Sequence, residues 1–287
     1  MSTVEDFFSP VENQWCPGCP NFGILTSMKQ ALAQLGKKPE DVCLVSGIGQ
    51  AAKFPHYIKC HFYNGLHGRA LPLALGIQIS QPGIKTIVTT GDGDCYGEGG
   101  NHFIHTIRRN PNMTLIVHNN QIYGLTKGQA SPTTDQGDKT RLQLDGVEIP
   151  PLKPLSIALI HGCRFVARGF AGDSAGLTTL FVEAIRFHGF AYVDVVQPCI
   201  SWGTHPIQWY KQRIRTLPPD YDNSDWDQAL KKSLEWQETI PVGILYKDKK
   251  EKPCFGDTFR DRVYSGPLSD LDFPPSEHVV EILNRFR

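Results

Sequence analysis

The sequence predicts an α/β protein with a doubly wound, mostly parallel sheet, and three features support this fold class. Apolar runs rich in valine and isoleucine recur along the chain, several of them lack the alternation of a half-exposed strand, and helical periodicity fills the intervals between them. Strand, helix and strand in succession require right-handed crossovers. Because ligands of such sheets collect at the carboxyl ends of the strands, we expect a site at that edge.

The predicted elements follow from local patterns. The strands are expected at residues 41–47, 85–90, 113–119, 163–169 and 192–197. Apolar residues recur at helical spacing after Asn21, which is the candidate N-cap, and Gly36 is expected to end that helix.

We divide the chain into one α/β domain and a C-terminal extension. The domain covers residues 1–202 and carries the expected sites. The extension covers residues 203–287, and its first part, 203–240, is rich in proline and tryptophan. The extension holds a short charged helix and a further strand-like run at 242–247. It is too short and irregular for a second doubly wound sheet, so we expect it to pack on the same domain.

Composition argues against several classes of protein. The 287 residues contain 29 basic and 29 acidic side chains, which gives no basic face for nucleic acid. The N-terminus is acidic where a signal peptide would be basic, and no apolar run is long enough to span a bilayer, so we expect a cytoplasmic protein. In a reducing compartment the eight cysteines favour ligands or buried thiols over disulfides.

Two strand ends carry the first candidate site. One predicted strand leads into Gly91-Asp92-Gly93-Asp94, and the next leads into Asn120. His118, two residues before Asn120, is predicted to be a helix-face or core histidine. Asp92 and Asn120 are 28 residues apart, the length of one helix and one strand, so adjacent parallel strands bring both to the same edge. Their oxygens suit a magnesium ion that also binds phosphate oxygens, whereas the alternative is an ordinary surface turn.

The cysteine pair in "WCPGCP" is the second candidate site. Cys16 and Cys19 lie on one turn, where backbone N–H groups face the sulfur atoms and proline stiffens the loop. Cys199 follows a strand-like run, so it also lies at a strand end. An iron–sulfur cluster and a zinc site with four cysteine ligands both remain open, whereas a thioredoxin-like dithiol is disfavoured because the pair precedes the first strand.

The stretch "GDGD" followed by "NNQIYG" resembles the signature of thiamine-diphosphate enzymes. With "GGNHFIHTIRRNPN" and "YGLTKGQASPT", the sequence resembles the β subunits of 2-oxoacid:ferredoxin oxidoreductases, most closely the 2-oxoglutarate synthase branch. The resemblance implies a diphosphate-binding fold in which Asp92, Asn120 and the backbone oxygen of Ile122 bind Mg²⁺. It also implies that thiamine diphosphate meets Gly91, Asp92, Gly93, Asp94, Gly97, Asn120, Ile122, Gly124 and Thr126.

The same resemblance implies a 4Fe–4S cluster on Cys16, Cys19 and Cys199. The sequence departs from the pattern at the fourth ligand, because "GIGC" of most relatives is replaced by "GIGQ", and the glutamine at position 50 is a poor iron ligand. We therefore expect Cys60 to replace it. Cys43 is a weaker candidate, since it lies inside an apolar strand where thiols usually pack.

Further catalytic residues are carried over from the resemblance. His67 and Arg69 match "HGRA", which implies His67 near the cofactor and Arg69 as an anion contact at a helix start; an ordinary helix terminus is the alternative. Lys53 is expected to meet the distal carboxylate of 2-oxoglutarate, and a solvated lysine is the alternative. Leu125 and Thr126 are expected to form a wall of the substrate or thiazolium pocket.

The implied activity is thiamine-dependent oxidative decarboxylation of 2-oxoglutarate to succinyl-CoA, or the reverse, with electrons passing through the cluster to ferredoxin. It needs an α subunit that carries the pyrimidine-binding domain and an activating glutamate, in an α₂β₂ assembly. The alternatives are a β subunit acting on pyruvate or a branched 2-oxoacid, a nonredox thiamine decarboxylase with structural zinc, and a binding module without catalysis.

Overall fold

A computed structural model describes residues 2–250, 252–257, 266–270, 281 and 284. The strands are β1 (Val42–Ser46), β2 (His61–Asn64), β3 (Lys85–Gly91), β4 (Thr114–Asn119), β5 (Ile122–Tyr123), β6 (Gln129–Ala130), β7 (Phe165–Phe170), β8 (Ala191–Val196), β9 (Ile214–Thr216) and β10 (Ile240–Lys247). The helices are α1 (Asn21–Gln34), α2 (Ala70–Ser80), α3 (Gly100–Arg109), α4 (Pro154–Ile160), α5 (Ser174–Arg186), α6 (Ile207–Arg213) and α7 (Trp226–Leu234).

In the described part of the chain, one large sheet has the strand order β2-β1-β3-β4-β8-β7-β10-β9. The neighbours from β2 to β7 pair in parallel, which confirms the predicted fold class. Strand β10 pairs with β7 in the antiparallel direction and β9 pairs with β10. The extension therefore contributes two strands to the sheet as well as packing on it. Its residues 251, 258–265, 271–280, 282, 283 and 285–287 lie outside the described part.

Helices cover both faces of the sheet. Apolar residues of α1 and α5 form one core layer, and those of α2, α3 and α4 form the other. Successive side chains of β1 point to opposite faces of the sheet, since Leu44 packs in the first core layer and Val45 packs in the second. This two-sided burial explains why the central strands read as continuous apolar runs.

The start of α1 differs from the prediction. Asn21 is the first residue of the helix rather than its cap, and its side chain is buried. Its Oδ1 atom lies 2.8 Å from Nδ1 of His118 at the end of β4. Gly36 follows the helix with φ of 65°, as expected for a glycine at a helix end.

Among the described residues, every helix is too short or too polar to cross a membrane.

Candidate active site at the carboxyl edge of the sheet

Asp92 and Asn120 leave the sheet at the same edge. Strands β3 and β4 are parallel neighbours, with Gly91 opposite His118, so the residues that follow both strands emerge side by side. Asp92 and Asn120 line a cavity of about 120 Å³, called here the diphosphate cavity. The placement agrees with the expectation from their spacing.

The diphosphate cavity gathers most of the predicted site residues. Besides Asp92 and Asn120, its walls include His67, Gly91, Gly93, Asp94, Ile122, Gly124, Leu125 and Thr126. Its walls do not include three other predicted residues, Lys53, Arg69 and Gly97.

Asp92 is fixed by two hydroxyl groups. Its carboxylate is 2% exposed, and its Oδ2 atom accepts hydrogen bonds from Ser131 Oγ at 2.5 Å and from Thr133 Oγ1 at 2.7 Å. Burial raises the pKa of Asp92 to about 6, while the two hydroxyls act in the opposite direction. A divalent cation would favour the ionised form, so this carboxylate fits a metal ligand. Ser131 and Thr133 were not predicted as site residues. In the sequence they appear only as part of the loop-like run "QASPT".

Asn120 is held by a local turn. Its Oδ1 atom accepts a hydrogen bond from the backbone N–H of Ile122 at 3.0 Å, and Gln121 between them has φ of 58°. The amide oxygen keeps a second lone pair for another partner. An Asp carboxylate and an Asn oxygen on one rim are the hard donors that Mg²⁺ takes, so these residues fit a magnesium diphosphate.

Asp94 positions His67 at the cavity. One oxygen of the buried Asp94 carboxylate lies 2.6 Å from His67 Nδ1 and accepts a hydrogen bond from Gly68 N at 2.7 Å. Its other oxygen accepts from Thr90 Oγ1 at 2.5 Å. The carboxylate is thus engaged by the protein, and Asp94 acts on the cavity through the histidine.

The structure corrects the expectation for Gly97. A Cβ atom there would lie 2.5 Å from Tyr123 Oη, and one at Gly93 would overlap the Tyr123 ring. Both glycines therefore make room for Tyr123, and Gly97 itself lies outside the cavity. Lys53 lies in the short helical segment Ala51–Tyr57, and Arg69 lies just before α2.

Of the two alternatives predicted for His118, the structure shows the core position, and the residue also lines the diphosphate cavity. Its Nδ1 atom meets Asn21, whereas the buried Nε2 atom has no partner among the described residues. Burial lowers the pKa of His118 to about 3, so the imidazole is neutral at physiological pH. No pattern in the sequence indicates this second role.

Three cysteines meet beside this cavity. Cys16, Cys19 and Cys199 line a second cavity of about 50 Å³, called here the thiol cavity. Burial raises the pKa of Cys19 to about 11, with further contributions from the neighbouring Cys199 and Cys16 sulfurs. A bound metal reverses this preference because it stabilises the thiolate.

Each sulfur also has a donor directed at it. Ser201 Oγ lies 3.3 Å from the sulfur of Cys16, and Trp202 N lies 3.4 Å from that of Cys199. Gln197 Nε2 lies 3.8 Å from the sulfur of Cys19. Donors of this kind stabilise thiolates that bind a cluster or a metal ion. The three thiols therefore fit an iron–sulfur cluster, and their chemistry also permits zinc.

The prediction that Cys60 is the fourth ligand is wrong. Cys60 directly precedes β2, whose first residue pairs with Cys43 in the parallel strand β1, so both cysteines lie towards the amino ends of these strands. The thiol cavity is at the carboxyl edge, about 13 Å away along a four-residue strand. Cys60 packs on the core, and burial raises its pKa to about 12.

The two cavities are neighbours. Four residues line both of them: Gln50, Asn120, Gly124 and Gln197. A group bound on the thiolates is thus separated from the diphosphate cavity by single side chains.

Comparison with known families gives two matches along the chain. Residues 45–195 match the family described as thiamine pyrophosphate enzyme, C-terminal TPP binding domain. Residues 199–262 match the family that describes the C-terminal part of the pyruvate ferredoxin oxidoreductase beta subunit.

Similar proteins cover nearly the whole chain. The 2-oxoacid:ferredoxin oxidoreductase subunit beta of Saccharolobus solfataricus is 40% identical over 94% of this chain and 91% of its own length. The 2-oxoglutarate synthase subunit KorB of Archaeoglobus fulgidus is 34% identical over 84% of this chain and 86% of its own. The solved 2-oxoglutarate:ferredoxin oxidoreductase of Magnetococcus marinus, with 2-oxoglutarate, coenzyme A and succinyl-CoA bound, superimposes with a TM-score of 0.89 at 32% identity, covering 98% and 95% of the two chains.

Proposed function

The chain belongs to the β subunits of the 2-oxoacid:ferredoxin oxidoreductases, and from that premise we propose that it acts on 2-oxoglutarate. The proposed reaction is oxidative decarboxylation to succinyl-CoA, or its reverse, with electrons passing through a 4Fe–4S cluster to ferredoxin. The observation that carries the proposal is the set of four residues shared by the diphosphate and thiol cavities. Electron transfer between two cofactors requires such proximity.

The diphosphate cavity is the proposed site of magnesium and thiamine diphosphate. Asp92, Asn120 and the backbone oxygen of Ile122 would hold the metal, and the bound cofactor supplies the electron sink for decarboxylation. His67 Nδ1 is engaged by Asp94, which leaves Nε2 as the nitrogen that can hold or release a proton at the cavity. His118 adds to the wall a neutral imidazole whose Nε2 atom has no hydrogen-bond partner in the described part of the chain.

The thiol cavity is the proposed cluster site. Cys16, Cys19 and Cys199 would bind iron, and the N–H and O–H groups that point at the sulfurs would stabilise the added negative charge of the reduced state. Zinc on the same thiolates is the competing assignment, and metal analysis distinguishes the two.

An α subunit is needed to complete the site. Among the described residues, the acids of the diphosphate cavity are Asp92 and Asp94, both already hydrogen-bonded, and no glutamate lines it. We therefore propose that the glutamate that activates the aminopyrimidine ring comes from the α subunit. Ile48 and Leu125 at the cavity are 41% and 48% exposed, which suits burial by that partner in an α₂β₂ assembly.

The choice of 2-oxoglutarate is supported by the KorB relative and the Magnetococcus enzyme. Lys53 stays a proposal for binding its distal carboxylate, and Arg69 stays a proposal for an anion contact at the start of α2. Neither residue lines the cavity in this chain. The match of residues 199–262 to a pyruvate family favours pyruvate as the second candidate substrate.

The test is anaerobic co-purification of this chain with its α subunit, followed by quantitation of iron, sulfide, zinc and thiamine. We expect iron, acid-labile sulfide and thiamine diphosphate, with ferredoxin reduced faster by 2-oxoglutarate plus CoA than by pyruvate plus CoA. A preference for pyruvate would overturn the substrate assignment. A colourless complex with stoichiometric zinc would overturn the redox function.

A further inference from the structure

We propose that the carboxamide oxygen of Gln50 is the fourth protein ligand of the cluster, so that one iron atom is bound more weakly than the three thiolate-bound ones. This inference rests on the proposed function. It concerns a single residue in the wall between the two cavities, for which the chain has a carboxamide in place of a thiol.

The backbone of Gln50 is fixed beside the cysteine pair. Its carbonyl oxygen accepts a hydrogen bond from Trp15 Nε1 at 2.8 Å, and Trp15 directly precedes Cys16. Trp15 is itself buried against Tyr57, with ring centroids 4.8 Å apart. The position of Gln50 relative to the thiol cavity is therefore set by a packed aromatic anchor.

The side-chain oxygen of Gln50 is buried and has no hydrogen-bond partner among the described residues. Burial of an unpaired carboxamide oxygen costs free energy unless a ligand compensates it. Of the other two carboxamides shared by the two cavities, Asn120 accepts from Ile122 N and is the proposed magnesium ligand, and Gln197 donates from Nε2 to Cys19 Sγ. Gln50 Oε1 is thus the orphaned acceptor of the thiol cavity.

Among the described residues, no cysteine other than Cys16, Cys19 and Cys199 lines the thiol cavity. Cys60 and Cys43 lie towards the amino ends of β2 and β1, and Cys95 and Cys163 are buried in the core layer of α2 and α3. The remaining Cys254 contacts His188, which follows α5. Three thiolates and one amide oxygen are therefore the donor set that the fold presents at one place.

A neutral amide oxygen is a harder and weaker donor to iron than a thiolate. We expect the iron at that corner to leave first when the cluster is oxidised. Added ferricyanide takes one electron from the 4Fe–4S²⁺ core, and the resulting 4Fe–4S³⁺ core releases Fe²⁺ and leaves 3Fe–4S⁺. We expect a fourth thiolate to slow this loss.

The experiment compares four forms of the anaerobically purified complex with the α subunit: wild type, Gln50→Cys, Gln50→Ala and the control Cys60→Ser. Iron is measured before and after one equivalent of ferricyanide, and the 3Fe–4S form is followed by electron paramagnetic resonance. Differences between forms cancel any iron carried by the partner. After ferricyanide is added, we expect the wild type and Cys60→Ser to lose one iron per β subunit and Gln50→Cys to retain it. We expect Gln50→Ala to contain one iron fewer per β subunit before oxidant is added.

Two results would overturn the proposal while leaving the proposed function intact. One is a Gln50→Ala complex whose iron content and oxidation match the wild type. The other is a Cys60→Ser complex that alone loses iron, since Cys60 would then be the ligand. Absence of iron and sulfide from the wild-type complex would instead remove the proposed function as well.

Discussion

Thr133 places its hydroxyl within reach of two oxygens of the candidate site. Thr133 Oγ1 lies 2.7 Å from Asp92 Oδ2 and 2.9 Å from Asn119 Oδ1, so it ties the ends of β3 and β4 together. Asn119 Nδ2 in turn donates to the buried Asp194, at 3.3 Å. These contacts fix the orientation of the Asp92 carboxylate, the proposed magnesium ligand. The contacts cannot be inferred from strand spacing alone.

Replacing Thr133 with valine keeps the shape and removes that hydroxyl. A hydrogen bond to a charged group contributes about 1.5 to 3 kcal/mol, so we expect the affinity for thiamine diphosphate with Mg²⁺ to fall by roughly 10- to 100-fold. Isothermal titration of the complex measures it. The matched control is Thr179→Val on the exposed face of α5, which should leave the affinity unchanged. Equal affinities in both variants would contradict the role of Thr133.

His118 gives a prediction for pH. Its pKa falls from the ordinary 6.5 to about 3 on folding, so the unfolded state binds the proton first and the folded state loses stability as pH drops below 6.5. Between pH 7 and pH 5 this amounts to about 2 kcal/mol. Urea unfolding of the purified protein and of His118→Phe should show this loss in the wild type relative to the variant. A constant difference between them across that range would exclude the effect.

The carboxyl ends of β3 and β4 were predictable as a site because spacing determines which residues emerge together. Strand β2 was not predictable, since all four of its residues are exposed and show no alternation. That missed element is the reason for the error at Cys60, because sequence distance does not tell at which end of a strand a residue lies. The prediction that Asn21 caps α1 was also wrong because local sequence does not show tertiary contacts. The Asn21 side chain contacts His118 instead of the helix backbone.

The turn before α2 offers a test of how tightly His67 is held. Gly68 has φ of 71°, and a Cβ there would lie 2.5 Å from the Glu98 carbonyl carbon, whereas Gly36 has φ of 65° and nothing within 4 Å. Alanine at Gly36 should cost about 1 kcal/mol through backbone strain alone. Alanine at Gly68 should cost a further 1 to 3 kcal/mol, roughly, through overlap. Urea denaturation measures the free energy of unfolding of both variants. Equal losses would show that the turn at Gly68 accommodates a Cβ atom without overlap.

At the scale of the molecule, one edge of the sheet is left with exposed apolar side chains near the site. Phe62 and Tyr63 on the edge strand β2 are 46% and 55% exposed, and Leu66 just beyond it is 75% exposed. Large apolar side chains exposed near the candidate site favour a partner interface. We expect the α subunit to cover it.

Leu66→Asp should therefore abolish co-purification with the α subunit. Ile160→Asp is the matched control. Ile160 is 65% exposed at the end of α4, which leads into the amino end of β7, whereas Leu66 follows the carboxyl end of β2. Pull-down of the tagged chain from cells that express both subunits measures the effect. Retention of the partner by Leu66→Asp, or its loss from Ile160→Asp, would place the interface elsewhere.

The most direct test of the central claim follows electrons from substrate to the thiolate-bound centre. The anaerobic complex with thiamine diphosphate and Mg²⁺ is mixed with 2-oxoglutarate and frozen for electron paramagnetic resonance, alongside Cys199→Ser. We predict a reduced-cluster signal that requires substrate in the wild type and is lost in Cys199→Ser, although that variant still binds thiamine diphosphate with wild-type affinity. A signal of equal amplitude in the variant, or none in the wild type, would contradict the account.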